Sequence, residues 1–184
     1  MKRESTFAYV LRLTLTLLII CAMVAAALAG VNAITKDKIA NIQAEKTQKA
    51  IAAVLEGGYD TEITDFADES GIVSRIYKGV NGYAVEVTPG GFDGEITMMV
   101  GVSLEGEVLG ISIISHTETA GLGAVAGANN TKGQAFRDSF IGLSGTVVTN
   151  KDGGEADTIT GATITSRAVC DGVNAALKCI ENLG

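Results

Sequence analysis

Between Leu13 and Thr35 the chain reads LTLTLLIICAMVAAALAGVNAIT, 23 residues without a charge. As a helix this run is about 34 Å long, and a bilayer core is about 30 Å thick. Few structures are open to such a segment, because in hydrocarbon each backbone polar group must find its partner within the segment itself. Two readings compete. One is an uncleaved transmembrane helix in the lipid bilayer. The other is a secretory signal, with Lys2, Arg3 and Arg12 as its basic start and Ala27-Leu28-Ala29 as a small-residue cleavage site. The run exceeds a usual signal core of about 7–15 residues and continues past the alanines, which favours the anchor. Its orientation is ambiguous by charge, since Lys36, Lys38, Lys46 and Lys49 follow the span as closely as Lys2, Arg3 and Arg12 precede it.

The order along the chain follows from this run. Residues 1–12 form a short tail, read as cytoplasmic, and 13–35 the span. Residues 36–56 lack proline, and Ile39, Ile42, Ala50, Ala53 and Val54 give them partial helical periodicity, so they are read as a helical stalk. At Gly57 the texture changes, and 57–184 is the expected folded domain. Two β-rich runs lie within Gly71–Val87, joined through Asn81-Gly82, a hairpin signal. A second hairpin is expected from Glu95–Ser103 and Val108–Ser115, with Gly106 in its turn. A short helix is expected over Lys132–Phe140 and a short strand over Gly145–Thr149. Val169, Val173, Ala176, Leu177 and Ile180 space an amphipathic helix over Ser166–Leu183. Strands grouped together with helices at the ends predict an α+β fold, a small antiparallel sheet with the C-terminal helix packed on it.

Composition removes several functions. With 21 acidic and 14 basic side chains the net charge is −7, which disfavours nucleic acid as a partner, since phosphate binding needs clustered Lys and Arg. The cysteines are Cys21, Cys170 and Cys179, with no C-x-x-C, so no metal site is expected. Cys170 and Cys179 sit about 13 Å apart along one helix, too far for a disulfide, and read as small buried hydrophobes. Gly121–Ala126 fits G-x-G-x-x-A, but GANNTKGQ follows in place of an apolar helix. The single histidine, His116, has no G-x-S-x-G serine to serve.

The stretch DTITGATITS, Asp157–Ser166, holds four threonines and a serine. Gly161 and Ala162 leave its backbone nearly bare, and a helix begins beside it. Unpaired N–H groups at a helix start favour phosphate, and a threonine hydroxyl there could bond a phosphate or be esterified by one. The plain alternative is that Thr165 or Ser166 merely caps the helix.

The run TGATITS resembles the flavinylation motif S/T-G-A-T/S-x-S/T of the FMN-binding domain found in RnfG and NqrC subunits of ion-translocating redox complexes. The resemblance implies that Thr163 carries FMN through a phosphoester, installed by a flavin transferase from FAD. Thr160, Gly161, Ala162 and Thr165 fall on the remaining motif positions. HTETAGLG, His116–Gly123, resembles the family's H-x-E-T-P-G-L-G segment, which implies that His116, Glu118, Thr119, Gly121, Leu122 and Gly123 border the flavin. Ala120 stands where the family has proline. Phe92–Ile96 and Gly101–Gly106 are also similar, and the likeness runs from about residue 7 to the end. It implies an electron-carrying subunit of a ferredoxin:NAD⁺ oxidoreductase complex coupled to Na⁺ or H⁺ translocation. The domain would lie on the external side of a bacterial cell membrane, beside the other Rnf subunits, with no catalysis of its own. Backbone N–H groups of Gly121–Gly123 are expected to face the reduced flavin. Two alternatives stand beside this: the quinone-linked sister complex, and a membrane-anchored binding module without redox chemistry.

Overall fold

The computed structural model describes residues 6–183; Lys2 and Arg3 of the basic start lie outside them. The described chain forms helix α1 (Thr6–Val54), strands β1 (Thr61–Ile63), β2 (Val73–Lys78), β3 (Gly82–Val87), β4 (Ile96–Ser103) and β5 (Val108–His116), then α2 (Thr131–Asp138) and α3 (Thr163–Glu181). It separates into two compact units between Glu45 and Lys46.

In the first unit α1 is the one helix among the described residues long and apolar enough to cross a membrane. Leu13, Leu17, Leu18, Ile20, Met23 and Leu28 are all exposed. The hydroxyls inside the apolar run are satisfied within the helix. Thr14 Oγ1 donates to the Val10 carbonyl at 3.0 Å, Thr16 to Arg12 at 2.8 Å, and Thr35 to Val31 at 2.7 Å. Such back-bonding leaves no hydroxyl in need of water, as a lipid-facing segment requires.

The second unit is built on a five-stranded antiparallel meander in the order β1-β2-β3-β4-β5. Both hairpins form where their turn residues predict them. Lys78 pairs with Tyr83 across the Asn81-Gly82 turn. At the β4–β5 turn Gly106 takes φ +82°, and Ser103 Oγ accepts from the N–H groups of Glu105 and Glu107. β1 is a three-residue edge strand that the sequence pattern did not announce.

Successive strand side chains point to opposite faces, so one strand can feed two cores. On one face Val85, Val87, Met98, Val100 and Val102 pack with Val169, Val173, Ala176, Leu177 and Ile180 of α3. The periodicity of the C-terminal helix thus meets its expected partner, and the fold is the α+β arrangement read from the sequence. On the other face Tyr77, Ala84, Met99 and Ile114 pack with Ala50, Ile51, Val54 and Leu55. This explains why β4, ITMMVGVS, is apolar almost throughout and does not alternate. Gly101 makes the contact possible, because a Cβ there would strike the Val54 carbonyl oxygen. The residues read as the end of a separate stalk are therefore core residues of the folded unit.

The strand expected over 145–149 is a loop. The Val147 N–H donates to Asn174 Oδ1 at 2.7 Å, and the Val147 carbonyl accepts from Asn174 Nδ2 at 2.8 Å. A side chain of α3 meets both backbone groups, so no strand partner is needed.

Cys170 and Cys179 are buried in α3, as expected. Burial pushes the Cys170 thiol up to about 12, aided by the nearby carboxylates of Asp171 and Asp152, and burial also raises Cys179. At pH 8 about one Cys170 in ten thousand is then thiolate, the form that reacts. Native protein treated with a charged disulfide reagent at pH 8 should leave both thiols free over hours, and unfolding in denaturant should release both within minutes. Mass spectrometry of the labelled helix peptide reads the outcome.

Candidate functional site

The two motif segments meet at the start of α3. Its first residue is Thr163, and the capping position is Ala162, with no side-chain cap bond. Capping therefore does not explain the hydroxyl cluster. Three of the neighbouring hydroxyls have another use. Thr158 Oγ1 donates to Asn150 Oδ1 at 2.7 Å. Ser166 Oγ accepts from the Ile159 N–H and donates to the Ala162 carbonyl, both at 3.0 Å, which closes the loop on itself. Thr165, 1% exposed, donates to Glu118 Oε2 at 2.9 Å. Thr160 is exposed and Thr163 partly exposed, and Thr163 Oγ1 accepts from Lys151 Nζ at 3.2 Å.

Gly161 has φ +82°, a left-handed conformation that side chains disfavour, and a Cβ there would press on Leu122 Cδ2 at 3.0 Å. The loop needs glycine at this point to turn into α3 beneath Leu122.

Glu118 joins the second motif to the first. It is 7% exposed, and its Oε1 accepts from the Phe92 N–H at 2.7 Å while Oε2 accepts from Thr165. One carboxylate thereby ties three segments together, at Phe92, at 116–123 and at the start of α3. Gly123 is required for this approach, since its Cβ would collide with both Glu118 Oε2 and Thr165 Oγ1. Glu118→Ala should leave the buried Thr165 hydroxyl without its acceptor and free the part-buried Phe92 N–H to water, for a loss of about 1–3 kcal/mol in thermal denaturation. Glu118→Gln should cost about 1 kcal/mol, because its oxygen can still accept from Phe92 while its amide donates to the Thr165 hydroxyl.

Around this junction lies a cavity of about 290 Å³ lined by Phe92, Glu118, Thr119, Leu122, Gly123, Gly161, Ala162, Thr163, Ile164 and Thr165. Phe92, Leu122 and Ile164 are large apolar side chains left exposed there. On the far side of the loop, Gly121 and Thr160 line a second cavity of about 420 Å³ with Lys132, Phe136 and Asp157. A wider cleft of about 640 Å³, between the β4–β5 turn and the end of α3, holds none of the motif residues. Apolar walls suit a planar ring, and the hydroxyls of Thr119 and Thr163 suit a phosphate, so these residues fit FMN.

Two of the expected groups also have packing or hydrogen bonds of their own. His116 lines neither motif cavity. It ends β5 opposite Ile96, its Nδ1 is buried with no hydrogen-bond partner among the described residues, and its ring abuts Gly127. Its place is behind the 3₁₀ turn Gly123–Gly127. The backbone N–H groups of Gly121–Gly123 are also not all presented outward, because the Leu122 N–H donates to the Thr119 carbonyl at 3.2 Å. Phe92 and Ile164 line the first cavity and Lys151 reaches Thr163, although their residue types alone did not single them out.

Residues 91–178, which hold both motifs and the cavity between them, match the FMN-binding domain family. The chain is 34% identical to the G subunit of the Na⁺-translocating ferredoxin:NAD⁺ oxidoreductase complex of Acetobacterium woodii, over 99% of this chain and 97% of the relative. The chain belongs to the G-subunit family of ion-translocating oxidoreductase complexes. The G subunit of the ion-translocating oxidoreductase complex of Methanosarcina acetivorans is 33% identical over 92% of this chain and 94% of its own length. The corresponding protein of Haemophilus influenzae strain PittEE is 34% identical over 77% of this chain and 75% of its own length. The match to the Acetobacterium protein covers the anchor helix of this G-subunit chain as well as its FMN-binding domain.

Proposed function

We propose that this chain is the electron-carrying subunit of a membrane-bound ferredoxin:NAD⁺ oxidoreductase complex of the Rnf type, coupled to Na⁺ or H⁺ translocation, with FMN held covalently on Thr163. The observation that supports it most is the disposition of hydroxyls. Thr158, Thr165 and Ser166 are consumed by the fold, while Thr163 lies at the mouth of an apolar-walled cavity with its oxygen accessible. The absence of a side-chain cap on α3 weighs against the binding-module alternative. Relatives named as G subunits of ferredoxin:NAD⁺ and ion-translocating oxidoreductase complexes weigh against the quinone-linked sister complex.

In this reading the Thr163 oxygen forms a bond to the flavin-side phosphorus of FAD. The pyrophosphate P–O bond breaks, AMP leaves with the bonding pair, and the hydroxyl proton passes to a base of the flavin transferase. Bound FMN supplies reversible electron uptake and release. The protein's part is to bind and orient. Phe92, Leu122 and Ile164 provide apolar surface for the ring, Glu118 fixes the loops that carry them, and α1 holds the domain at the bilayer. Gly121, Thr119 and Thr160 border the remaining space around the nucleotide. The ester keeps the carrier loaded on the external side of the membrane, where free FMN would be lost by dilution. The other Rnf subunits supply and remove the electrons, and no substrate bond is broken here.

Intact mass tests the reading. Protein matured beside a competent flavin transferase should gain one FMN less one water and give a band that fluoresces under ultraviolet light after denaturing electrophoresis. An unchanged mass with an active transferase overturns it.

A further inference from the structure

The loop between α2 and α3 carries the 3₁₀ turn Asn150–Asp152, and its side chains are anchored in two directions. Asp152 accepts from Arg167 of α3, Nε to Oδ2 at 2.8 Å and Nη2 to Oδ1 at 2.6 Å, and its Oδ2 also accepts from Thr149 Oγ1 at 2.7 Å. The Arg167 guanidinium beside Asp152 holds its carboxyl well below the usual carboxylate range. Asn150 accepts from Thr158 at 2.7 Å and donates to Asp157 Oδ1 at 3.2 Å. The turn is thus tied both to α3 and to the segment that leads into Thr160–Thr163. The residue at its centre, Lys151, reaches Thr163 Oγ1 with its ammonium at 3.2 Å. Arg167 is engaged with Asp152 and does not compete for that oxygen, while Lys132 lines the cavity on the far side of Gly161.

We propose that Lys151 is the anion-pairing residue of the flavin ester, holding the phosphodiester at Thr163 by a charge-assisted hydrogen bond. This rests on the reading of Thr163 as the attachment residue. A phosphodiester carries one negative charge, and the atom that becomes its bridging oxygen is the one Lys151 already contacts. The non-bridging oxygens lie one bond further out, within reach of a flexible ammonium with three donors. Before attachment the same contact leaves the Thr163 proton free to depart, since Lys151 donates to the oxygen and does not need its hydrogen. The 3₁₀ turn fixes where the ammonium starts, so the pairing site exists ahead of the ester.

The test uses full-length protein with purified transferase and FAD, comparing wild type, Lys151→Gln and Lys151→Arg. Initial incorporation, read by intact mass, should fall about tenfold in K151Q and recover most of its rate in K151R. The 31P resonance of the ester should be displaced in loaded K151Q relative to loaded wild type, and K151R should restore most of the wild-type position. Should K151Q fail to load at all, recovery in K151R supports the pairing and failure of both overturns it. K151Q that loads at the wild-type rate with a wild-type 31P resonance overturns the role of Lys151 and leaves Thr163 untouched. Wild type that gains no mass overturns the attachment reading and this one with it.

Discussion

Thr163→Val should reduce FMN incorporation to zero while leaving the fold intact. Valine keeps the shape of threonine and removes only the hydroxyl. The fold loses little, because Thr163 is partly exposed and the hydrogen bond its side chain makes is the one from Lys151, at a solvated site. The neighbouring hydroxyls cannot substitute. Thr165 is buried against Glu118, Ser166 is held between Ile159 and Ala162, and Thr158 is bonded to Asn150. Thr160 is exposed but borders the other cavity, so Thr160→Val should still load. Thr163→Ser should load as well, since it restores the oxygen. Thr165→Val should lower both stability and loading, because it leaves a buried carboxylate oxygen of Glu118 without its donor, at about 1–3 kcal/mol. Intact mass of the four variants, each matured beside the transferase, checks this ordering. Label retained in T163V would refute the site.

The site was legible in sequence where chemistry demands particular residue types in a row. TGAT drew attention by its hydroxyls around a bare Gly-Ala pair at a helix start, with capping as an open alternative, whereas HTETAGLG was singled out by its resemblance to the family's segment. What Glu118 does was not legible. Its partners, the Phe92 N–H and Thr165, are distant in the chain, and one of them is a backbone group that any residue supplies. Lys151 was hidden for a related reason: a lysine in a Lys-Asp-Gly-Gly turn reads as solvated surface until the Asp152–Arg167 pair fixes that turn over α3. The hairpins were legible because Asn81-Gly82 and Gly106 announce turns by their own conformational preferences. The loop at Val147 was misread as a strand because its backbone is paired by the Asn174 side chain, a long-range compensation with no local signature. The second core was announced, in part, by the unbroken apolarity of β4. That pattern is incompatible with one solvated face, and its partner had to come from elsewhere in the chain.

That partner is the end of α1, which sets where the soluble domain can be cut. A chain starting at Lys46 should fold to a cooperative, monomeric domain, and one starting at Gly57 should not. Leu55 is 1% exposed, Ile51 3% and Val54 5%, and burying each such side chain contributes about 1.5–3 kcal/mol. Together they supply about 5–9 kcal/mol before the entropy of ordering the segment is subtracted, against a total stability of about 5–15 kcal/mol for an ordinary domain. Removing them also uncovers Tyr77, Ala84, Met99 and Ile114 as one apolar patch on the open face of the sheet, a surface prone to association. Calorimetry should show a sharp transition for the longer form, and for the shorter one a broad transition or none, with strong binding of a hydrophobic dye. Melting temperatures within a few degrees of each other would mean that the helix end rests on the sheet without supporting it. Gly101→Val offers an independent check in the full-length protein. Its side chain would displace the Val54 carbonyl from the dent it occupies, and should lower stability in the same direction as the cut while leaving Thr163 and its surroundings on the opposite side of β4 in place.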